Sequence, residues 1–572
     1  MRAASFVGGL CLSVCLSLGF AKAAPAAERV TLTFGFAEVS TSVEALRAYA
    51  ERGEVNDELR FYISLLSDAQ RTQFRQALLA RQDVAPYQLS KFLRSSIGNN
   101  ILRFLGDVVQ TAGRRDGSRG LRGALVLSAA EPEGLSLLGV IENFPTRTVR
   151  IDSRRGFQIV GGIAAQVKDT GRAIAAIKSR SALTAQNNPP AALPNLSQAG
   201  PYSVNARVLS VRDEGRDRTL PTTLYLPQEV NGALPLIIAS HGLAGDRQGF
   251  DPIARHLASY GFAVATVDHP GSNRRQFEGL LGGIEREISE PTEFIDRPRD
   301  LSYLLDELTR LNGSGALADR FNLEQIGVIG HSFGGYTALA IAGARMDYAN
   351  LRANCDSSAF VYSEANTSML LQCTALAAPE QFAIPVEDDR IKAVIAMNPV
   401  TSSVFGPAGF SQLDIPSLLI AGSSDPVAPA LAEQIQPFTW LNRQADVPDH
   451  YLALIEGGSH LYDPPTLESA DVSLANGLVS ADIELAYDYL KSLSLAFMQA
   501  EVVGDRTYLD ALGPAYIRQL SRQPLPLFVV DSLTEANLRP ERSPEAIETP
   551  PSPEESGEEV QPEEIIREGT SP

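Results

Sequence analysis

The sequence predicts an α/β fold, with a mostly parallel sheet that has helices on both faces, preceded by a mainly helical domain. The first observation is a change of hydrophobic period near the proline-containing stretch Asn187–Pro194: apolar residues recur at helical spacing before it, and short apolar runs alternate with helical patterns after it. The second is that these runs are apolar at nearly every position, which is typical of parallel strands buried on both faces.

The predicted strands are six short apolar runs at Leu236–Ser240, Ala263–Asp268, Ile326–Gly330, Ala393–Asn398, Ser417–Ala421 and Tyr451–Ile455. Helical patterns lie between them at Ile253–Tyr260, Arg297–Leu311, Gly334–Ala344 and Ala430–Asn442. The stretch Arg207–Leu226 has alternating polarity, which predicts an antiparallel pair of strands at the leading edge of the sheet.

The N-terminal part of the chain has a different pattern. Leu59, Ile63 and Leu66 repeat at helical spacing, and Ser67 with Gln70 matches a capping box at the start of a helix. Two strand-like runs, Val30–Phe36 and Thr146–Ile151, flank the helices. The sequence therefore predicts a helical domain over residues 24–180.

The remaining boundaries follow from composition. Arg2, an apolar run and a small-residue site at Ala21-Lys22-Ala23 predict a signal peptide over residues 1–23, with an uncleaved membrane anchor as the alternative. The protein is then expected to be exported, to the periplasm or out of the cell. We expect a linker at 181–200, the α/β domain at 201–505 and a C-terminal extension at 506–542. A disordered tail rich in Pro and Glu is expected at 543–572, where nine glutamates and six prolines exclude a core.

The charge excludes one class of partner. Among the 572 residues, 49 basic and 68 acidic side chains give a net charge of -19, so nucleic acid is not an expected partner. Residues 24–180 nevertheless carry 22 basic and 16 acidic residues, a net +6. This basic domain is expected to pack on the acidic α/β domain, and a peripheral membrane contact or simple solvation are the alternatives.

The chemistry centres on Gly330-His331-Ser332-Phe333-Gly334, which fits the pattern Gly-x-Ser-x-Gly between a predicted strand and a predicted helix. A serine at such a turn is held in a strained backbone conformation that exposes its hydroxyl above the sheet. Ser332 is therefore the candidate nucleophile. The alternative is a glycine-rich packing turn.

A serine hydroxyl needs a base and a carboxylate that orients the base. Asp425 and His460 each follow a predicted strand, in the order serine, acid, histidine that this kind of sheet requires. Asp425 is the candidate acid and His460 the candidate base. Asp388, Asp389 and Asp463 are rival acids, but the first two precede a strand and the third follows the histidine.

Acyl transfer also requires donors for an oxyanion. The backbone N–H groups of Phe333, at the start of the helix, and of Leu243, in the loop after the strand Leu236–Ser240, are the candidates. His241, His269 and His331 are expected to shape loops, and His256 to lie on the surface.

The chain has four cysteines, of which two lie in the predicted signal. In an oxidising compartment Cys355 and Cys373 are expected to form a disulfide, and two buried thiols are the alternative. The histidines show no metal-binding spacing, and no glycine-rich phosphate loop follows a strand, so neither a metal nor a cofactor is expected.

With these motifs in place, residues 205–500 resemble a serine α/β-hydrolase of the group that contains platelet-activating-factor acetylhydrolases and predicted dienelactone hydrolases. The resemblance lies in Ser240-His241-Gly242-Leu243, in the Ser332 motif, and in the positions of Asp425 and His460. It implies the α/β-hydrolase fold and hydrolysis of carboxylic esters through an acyl-enzyme. True dienelactone hydrolases use a cysteine where this chain has Ser332. The region 24–180 resembles an uncharacterised module found before such hydrolases.

The sequence thus predicts an exported serine hydrolase, an esterase or a lipase-like enzyme, that acts on a small-molecule ester or lipid. Insertions at 272–293 and 346–389 lie where this fold builds lids and acyl pockets, so the resemblance does not specify the substrate. A serine peptidase of the same fold and a non-catalytic binding protein are the alternatives. Related peptidases usually carry a β-propeller, and residues 24–180 contain no repeat.

Overall fold

The computed structural model describes residues 26–34, 37–187, 193–355, 366–441, 449–460 and 478–538. The predicted signal peptide, the predicted disordered tail and residues 188–192 of the predicted linker lie outside these residues. In the described ranges, no helix combines the length and the apolar character needed to cross a bilayer.

The N-terminal region combines helices with small sheets. Strands β1, β2, β4 and β6 form a four-stranded sheet in the order β2-β1-β6-β4, and β3 pairs with β5. Strands are present in both predicted runs, although residues 35–36 of the first lie outside the described residues, and β1 lies parallel to β6. The strands are β1 Arg29–Phe34, β2 Ala37–Ser42, β3 Arg81–Gln82, β4 Val109–Gln110, β5 Leu135–Ser136 and β6 Thr148–Asp152. The helices are Val43–Arg52, Asp57–Ser64, Asp68–Leu79, Pro86–Phe92, Ser96–Val108, Ser118–Ala129, Leu137–Glu142 and Ser153–Asn187.

Local chemistry explains how one of these helices begins. The Ser67 side chain accepts a hydrogen bond from the Gln70 N–H, and the Gln70 side chain accepts one from the Ser67 N–H. The predicted capping box is confirmed, and it satisfies two of the donors that a helix start leaves without a partner. The region has its own apolar core, in which Leu59, Leu102 and Phe144 are almost fully buried.

The rest of the described chain forms the predicted α/β fold. Nine strands form one sheet in the order β15-β14-β13-β12-β11-β9-β10-β8-β7. The strands β9 to β14 run parallel to their neighbours within this group, while β7, β8 and β15 add antiparallel edges. The strands are β7 Val204–Asp213, β8 Arg218–Pro227, β9 Leu234–Ser240, β10 Ala263–Val267, β11 Phe321–His331, β12 Ile391–Met397, β13 Ser417–Gly422, β14 His450–Ile455 and β15 Leu527–Val530.

All six predicted parallel strands are present, as is the antiparallel pair at the leading edge. The α-helices that accompany the sheet are Asp251–Ser259, Arg274–Gly282, Glu293–Asn312, Phe333–Ile341, Tyr348–Cys355, Met369–Gln372, Ser402–Phe410, Gln436–Phe438, Ile483–Met498, Pro514–Leu520 and Glu535–Leu538. A π-helical turn, Leu431–Ile435, precedes the short helix that contains Pro437.

Both faces of the sheet are buried, as β9 illustrates. Leu236 and Ile238 belong to the core on one face, and Ile237 and Ala239 belong to the core on the other. Alternate side chains of a strand point to opposite faces, so a strand covered on both sides must be apolar throughout. This is why the predicted strands appear as continuous apolar runs.

Two elements extend past predicted boundaries. The helix Ser153–Asn187 enters the predicted linker 181–200, because no glycine or proline lies between Arg172 and Asn187 to stop it. The sheet also continues past residue 505, since β15 pairs with β14 inside the predicted extension 506–542. That strand has only four residues, too few for hydrophobic period to reveal it.

The N-terminal region packs directly against the α/β region. Ala173 and Ile177 of the long helix, together with Ile97, are buried in the same core as one face of the sheet. Lys178 Nζ lies 2.9 Å from Glu456 Oε2, but both side chains are partly exposed, so this pair contributes at most about 1 kcal/mol. The apolar contacts therefore hold the two regions together more than the charges do.

The N-terminal region also touches both insertions. The Ser96 N–H donates to Glu287 Oε2 at 2.7 Å, within the insertion 272–293. Asn100 Nδ2 donates to the Leu370 carbonyl at 3.4 Å, within the insertion 346–389. The module that precedes the sheet thus contacts the segments expected to surround a substrate.

The prediction that His256 lies on the surface is wrong. It is three residues after Ile253, and that spacing places it on the buried face of the helix Asp251–Ser259, where its side chain is only 5% exposed. Burial, with a further contribution from the charge of Lys491, lowers the pKa of His256 to about 4.

We expect this imidazole to make the folded protein sensitive to acid. The unfolded chain binds a proton at the ordinary histidine pKa near 6.5, and the folded chain only near pH 4, so stability falls as the pH decreases through this range. At pH 5 the loss is about 2 kcal/mol from His256 alone. Urea unfolding at pH 7.5 and pH 5 should therefore show a smaller loss for His256→Gln than for the parent protein. Equal losses in the two proteins would contradict the assignment.

Candidate active site

Ser332 lies at a sharp turn between β11 and the helix Phe333–Ile341. Its backbone has φ 56° and ψ -118°, a conformation that costs a non-glycine residue about 1 to 3 kcal/mol. Its N–H donates to the Met397 carbonyl of the neighbouring strand β12 at 2.8 Å, which holds the turn in place. The strained geometry is the one that the sequence motif predicts.

The two glycines of the motif are required by space. A Cβ atom on Gly330 would lie 1.8 Å from the Gly334 carbonyl oxygen, and one on Gly334 would lie 1.9 Å from the Ser240 carbonyl oxygen. Both distances are far below any real contact, so only glycine allows the strand, the turn and the loop after β9 to pack this closely.

The structure brings the three candidate catalytic side chains together. His460 Nε2 lies 3.0 Å from Ser332 Oγ, and His460 Nδ1 lies 2.7 Å from Asp425 Oδ2. The other oxygen, Asp425 Oδ1, accepts from the N–H groups of Val427 at 2.7 Å and Ala428 at 2.8 Å. An ionised carboxylate only accepts, so Nδ1 carries the imidazole proton and Nε2 is left to accept the proton of the serine hydroxyl.

These side chains meet because their strands are parallel. Ser332, Asp425 and His460 follow β11, β13 and β14, whose carboxyl ends share one edge of the sheet. The rival acids Asp388 and Asp389 precede β12 and therefore lie at the opposite edge, and Asp463 lies outside the described residues.

Asn398 is a part of this site that the sequence reasoning missed. It is fully buried just after β12, with φ 42°, and its Nδ2 donates to the Ser459 carbonyl at 2.9 Å while its Oδ1 accepts from the Gly422 N–H at 3.1 Å. It thereby joins the loop of the acid to the loop of the base. The available signal was an amide residue at the carboxyl end of an apolar strand.

His331 supports the same loop. Its Nε2 lies 2.8 Å from the His460 carbonyl oxygen and donates to it. Burial, with the nearby His460 ring adding to the effect, lowers the pKa of His331 to about 4, so this imidazole is neutral at physiological pH. This contact agrees with the loop-shaping role predicted for His331.

The loop that carries Leu243 packs against the nucleophile turn. A Cβ atom on Gly242 would lie 3.2 Å from Ser332 Cβ, which measures how closely the loop approaches. Within the described part of the chain, neither the Leu243 N–H nor the Phe333 N–H donates a hydrogen bond. The role of these two amides as oxyanion donors stays a prediction.

Cys355 and Cys373 form the disulfide that the sequence predicts, with a sequence separation of 18 residues. Closing a loop of this length stabilises the fold by about 3 kcal/mol on the chain-entropy model. The described residues contain no group of three or more His, Cys, Asp or Glu side chains placed to hold a metal ion.

The parallel sheet, the strained Ser332 turn and the serine-histidine-aspartate contacts together define an α/β hydrolase. Two family matches agree with this class. Residues 235–349 match the family described as alpha/beta hydrolase fold. Residues 26–152 match the family described as alpha/beta hydrolase of unknown function (DUF1400).

The chain is also similar in sequence to individual curated proteins. The chain is 27% identical to cutinase est2 of Thermobifida alba, over 26% of this chain and 43% of that protein. It is 28% identical to the cutinase of Thermobifida fusca strain YX, over 26% of this chain and 40% of that protein. It is 27% identical to platelet-activating factor acetylhydrolase of Cavia porcellus, over 21% of this chain and 34% of that protein. The chain thus spans less than half the length of these curated relatives.

Proposed function

We propose that this protein is an exported serine hydrolase that cleaves carboxylic esters through an acyl-enzyme. The observation that carries the proposal is the position of His460, which bridges Ser332 and Asp425 with distances of 3.0 and 2.7 Å. When the Nδ1–H of a neutral imidazole donates to a carboxylate, the lone pair on Nε2 is directed at the serine hydroxyl. This is the arrangement that activates a weak nucleophile.

In the acylation half, Ser332 Oγ forms a bond to the ester carbonyl carbon while its proton moves to His460 Nε2. The carbonyl oxygen becomes anionic and accepts hydrogen bonds from the N–H groups of Leu243 and Phe333. When the intermediate collapses, the bond to the alcohol oxygen breaks, and His460 returns the proton to that oxygen. Asp425 remains ionised and stabilises the imidazolium that forms between these steps.

In the deacylation half, water replaces the alcohol. His460 Nε2 takes a proton from the water as its oxygen bonds to the acyl carbon, and then gives the proton to Ser332 Oγ as the acyl bond breaks. The products are a carboxylic acid and the free enzyme. In these steps the protons pass between His460 Nε2 and three oxygens: Ser332 Oγ, the leaving alcohol and the attacking water.

The names of the relatives support an ester as the substrate. Two of them are called cutinases and one an acetylhydrolase. Small-molecule esters and lipids are therefore the proposed substrates. The disulfide between Cys355 and Cys373 supports export, because such bonds persist in oxidising compartments.

A series of p-nitrophenyl esters from acetate to palmitate tests the proposal. We expect release of nitrophenol from at least part of the series, and the longest acyl chain accepted will report the depth of the acyl pocket. Peptide p-nitroanilides of matched size form the second arm. Turnover of anilides without turnover of esters would replace the esterase with a peptidase, and turnover of neither would overturn the proposal.

A further inference from the structure

The fully buried guanidinium of Arg297 contacts both segments that carry the proposed oxyanion donors. Its Nη2 donates to the carbonyl oxygen of His241, two residues before Leu243, and lies 3.3 Å from Ser240 Oγ. Its Cζ lies 4.5 Å from the centre of the Phe333 ring, in a cation–π contact. One side chain on the helix Glu293–Asn312 thus touches the loop after β9 and the first residue of the nucleophile helix.

Burying the charge of Arg297 costs the folded protein free energy. Its side chain has no exposed area, and its Nε and Nη1 atoms have no hydrogen-bond partner within the described residues. Burial lowers the pKa of Arg297 to about 9 although the nearby Glu293 and Asp300 carboxyls oppose this shift, so the group remains charged at neutral pH. Apolar residues of similar volume often replace a buried charge without loss of stability, which argues for a role other than packing.

The same carboxyls are held by a second arginine. Arg218 makes two contacts with Asp300, at 2.9 and 2.7 Å, and one with Glu293 at 2.8 Å. The Glu293 and Asp300 side chains are therefore fixed by ion pairs that do not involve Arg297. The Arg297 guanidinium is left to bond to the loop after β9 rather than to these carboxylates.

Two neutral histidines fix the rest of the loop. His269 Nδ1 donates to Asp300 Oδ2 at 2.9 Å, and its Nε2 accepts from the Ser240 hydroxyl at 2.9 Å. The His269 N–H donates to His241 Nε2 at 3.1 Å, so His241 Nδ1 carries the proton that bonds to the Gly242 carbonyl at 2.7 Å. Burial, together with the charge of Arg297, lowers the pKa of both histidines well below their ordinary range.

The hydrogen bonds of this loop also set the direction of the Leu243 N–H, the proposed oxyanion donor. The Gly242 carbonyl and the Leu243 N–H belong to one planar trans peptide group and point in opposite directions. His241 Nδ1 and the Gly245 N–H both bond to the Gly242 carbonyl, which sets the direction of the Leu243 N–H. Arg297 holds the preceding peptide group through the His241 carbonyl.

We propose that Arg297 is a positioning residue, which sets the separation between the Leu243 and Phe333 amides so that both reach the oxyanion. This inference rests on the proposed ester hydrolysis and names a residue outside the triad on which its rate depends. Contacts to the oxyanion form fully only in the transition state, so their loss lowers kcat more than it changes KM.

The test compares Arg297→Met and Arg297→Lys with the parent on a short-chain p-nitrophenyl ester. Misplacement of catalytic groups by about 1 Å costs roughly 100-fold, so we expect Arg297→Met to lower kcat by about that factor with KM changed less than about threefold. Arg297→Lys keeps one donor toward the His241 carbonyl, and its kcat should lie between that of the parent and that of Arg297→Met. Arg506→Met is the control and should retain the parent kcat, because it removes a guanidinium bonded to Asp449, just before β14 and therefore at the opposite edge of the sheet from this loop.

A folded Arg297→Met protein with the parent kcat would overturn the proposal, as would a loss confined to KM. If Arg297→Met does not fold, Arg297→Lys decides the question: a lowered kcat at constant KM supports positioning, and an unchanged kcat refutes it. Failure of the proposed function has a different signature, because the parent protein itself would then hydrolyse no ester whatever residue stands at 297.

Discussion

Replacing Ser332 with alanine is expected to abolish ester turnover while the protein remains folded. The serine oxygen forms the acyl bond, and no other side chain can substitute for it, so kcat should fall by a factor on the order of 10⁴ to 10⁶. Alanine keeps the Cβ atom, and the N–H that bonds to the Met397 carbonyl is unchanged, so the turn retains its packing. Nitrophenol release and the thermal unfolding midpoint, measured on the same preparations, check both parts.

Ser494→Ala is the matched control for this prediction. Ser494 is also a fully buried serine, and its hydroxyl has no hydrogen-bond partner in the described part of the chain, so its removal should leave kcat unchanged. A fluorophosphonate that labels serine nucleophiles should modify the parent and Ser494→Ala at Ser332, and should not modify Ser332→Ala. Ester turnover that persists in purified Ser332→Ala would assign the nucleophile to another residue.

Much of the α/β region could be predicted because its strands are buried on both faces. Such strands must be apolar at nearly every position, as β13 and β14 are, and this makes them visible in a single sequence. Strand order along the chain then places the residues after β11, β13 and β14 at one edge. The contact of His460 with Ser332, and that of Asp425 with His460, follow from that rule and from little else.

Other parts of the site depend on tertiary contacts that period and spacing do not encode. Asn398 and Arg297 act through backbone carbonyls of loops distant in sequence, so the spacing of residues does not reveal their partners. His256 was misassigned because one polar residue on a helix does not reveal which face is buried. The strand β15 is not predicted because it has only four residues and is defined by its pairing with β14.

Asp425→Asn is expected to lower kcat by about 10⁴-fold, although the two side chains have nearly the same shape. The N–H groups of Val427 and Ala428 both point at Oδ1, so the asparagine oxygen must take that position and its NH₂ group must face His460 Nδ1. An NH₂ donor opposite Nδ1 forces that nitrogen to accept, which moves the imidazole proton to Nε2. His460 then presents a proton, not a lone pair, to Ser332 Oγ and cannot act as the base.

The expected signature of this tautomer change is a loss in kcat with KM nearly constant, because substrate binding does not involve the Asp425 side chain. Asp482→Asn is the matched control: Asp482 caps the helix Ile483–Met498 by accepting from the Leu485 N–H, and asparagine caps equally well, so its activity should equal that of the parent. Fluorophosphonate labelling of Ser332 should slow in Asp425→Asn together with ester turnover, since both reactions require the same base. Full activity in Asp425→Asn would show that another group orients His460, and the acid of the triad would then have to be sought elsewhere.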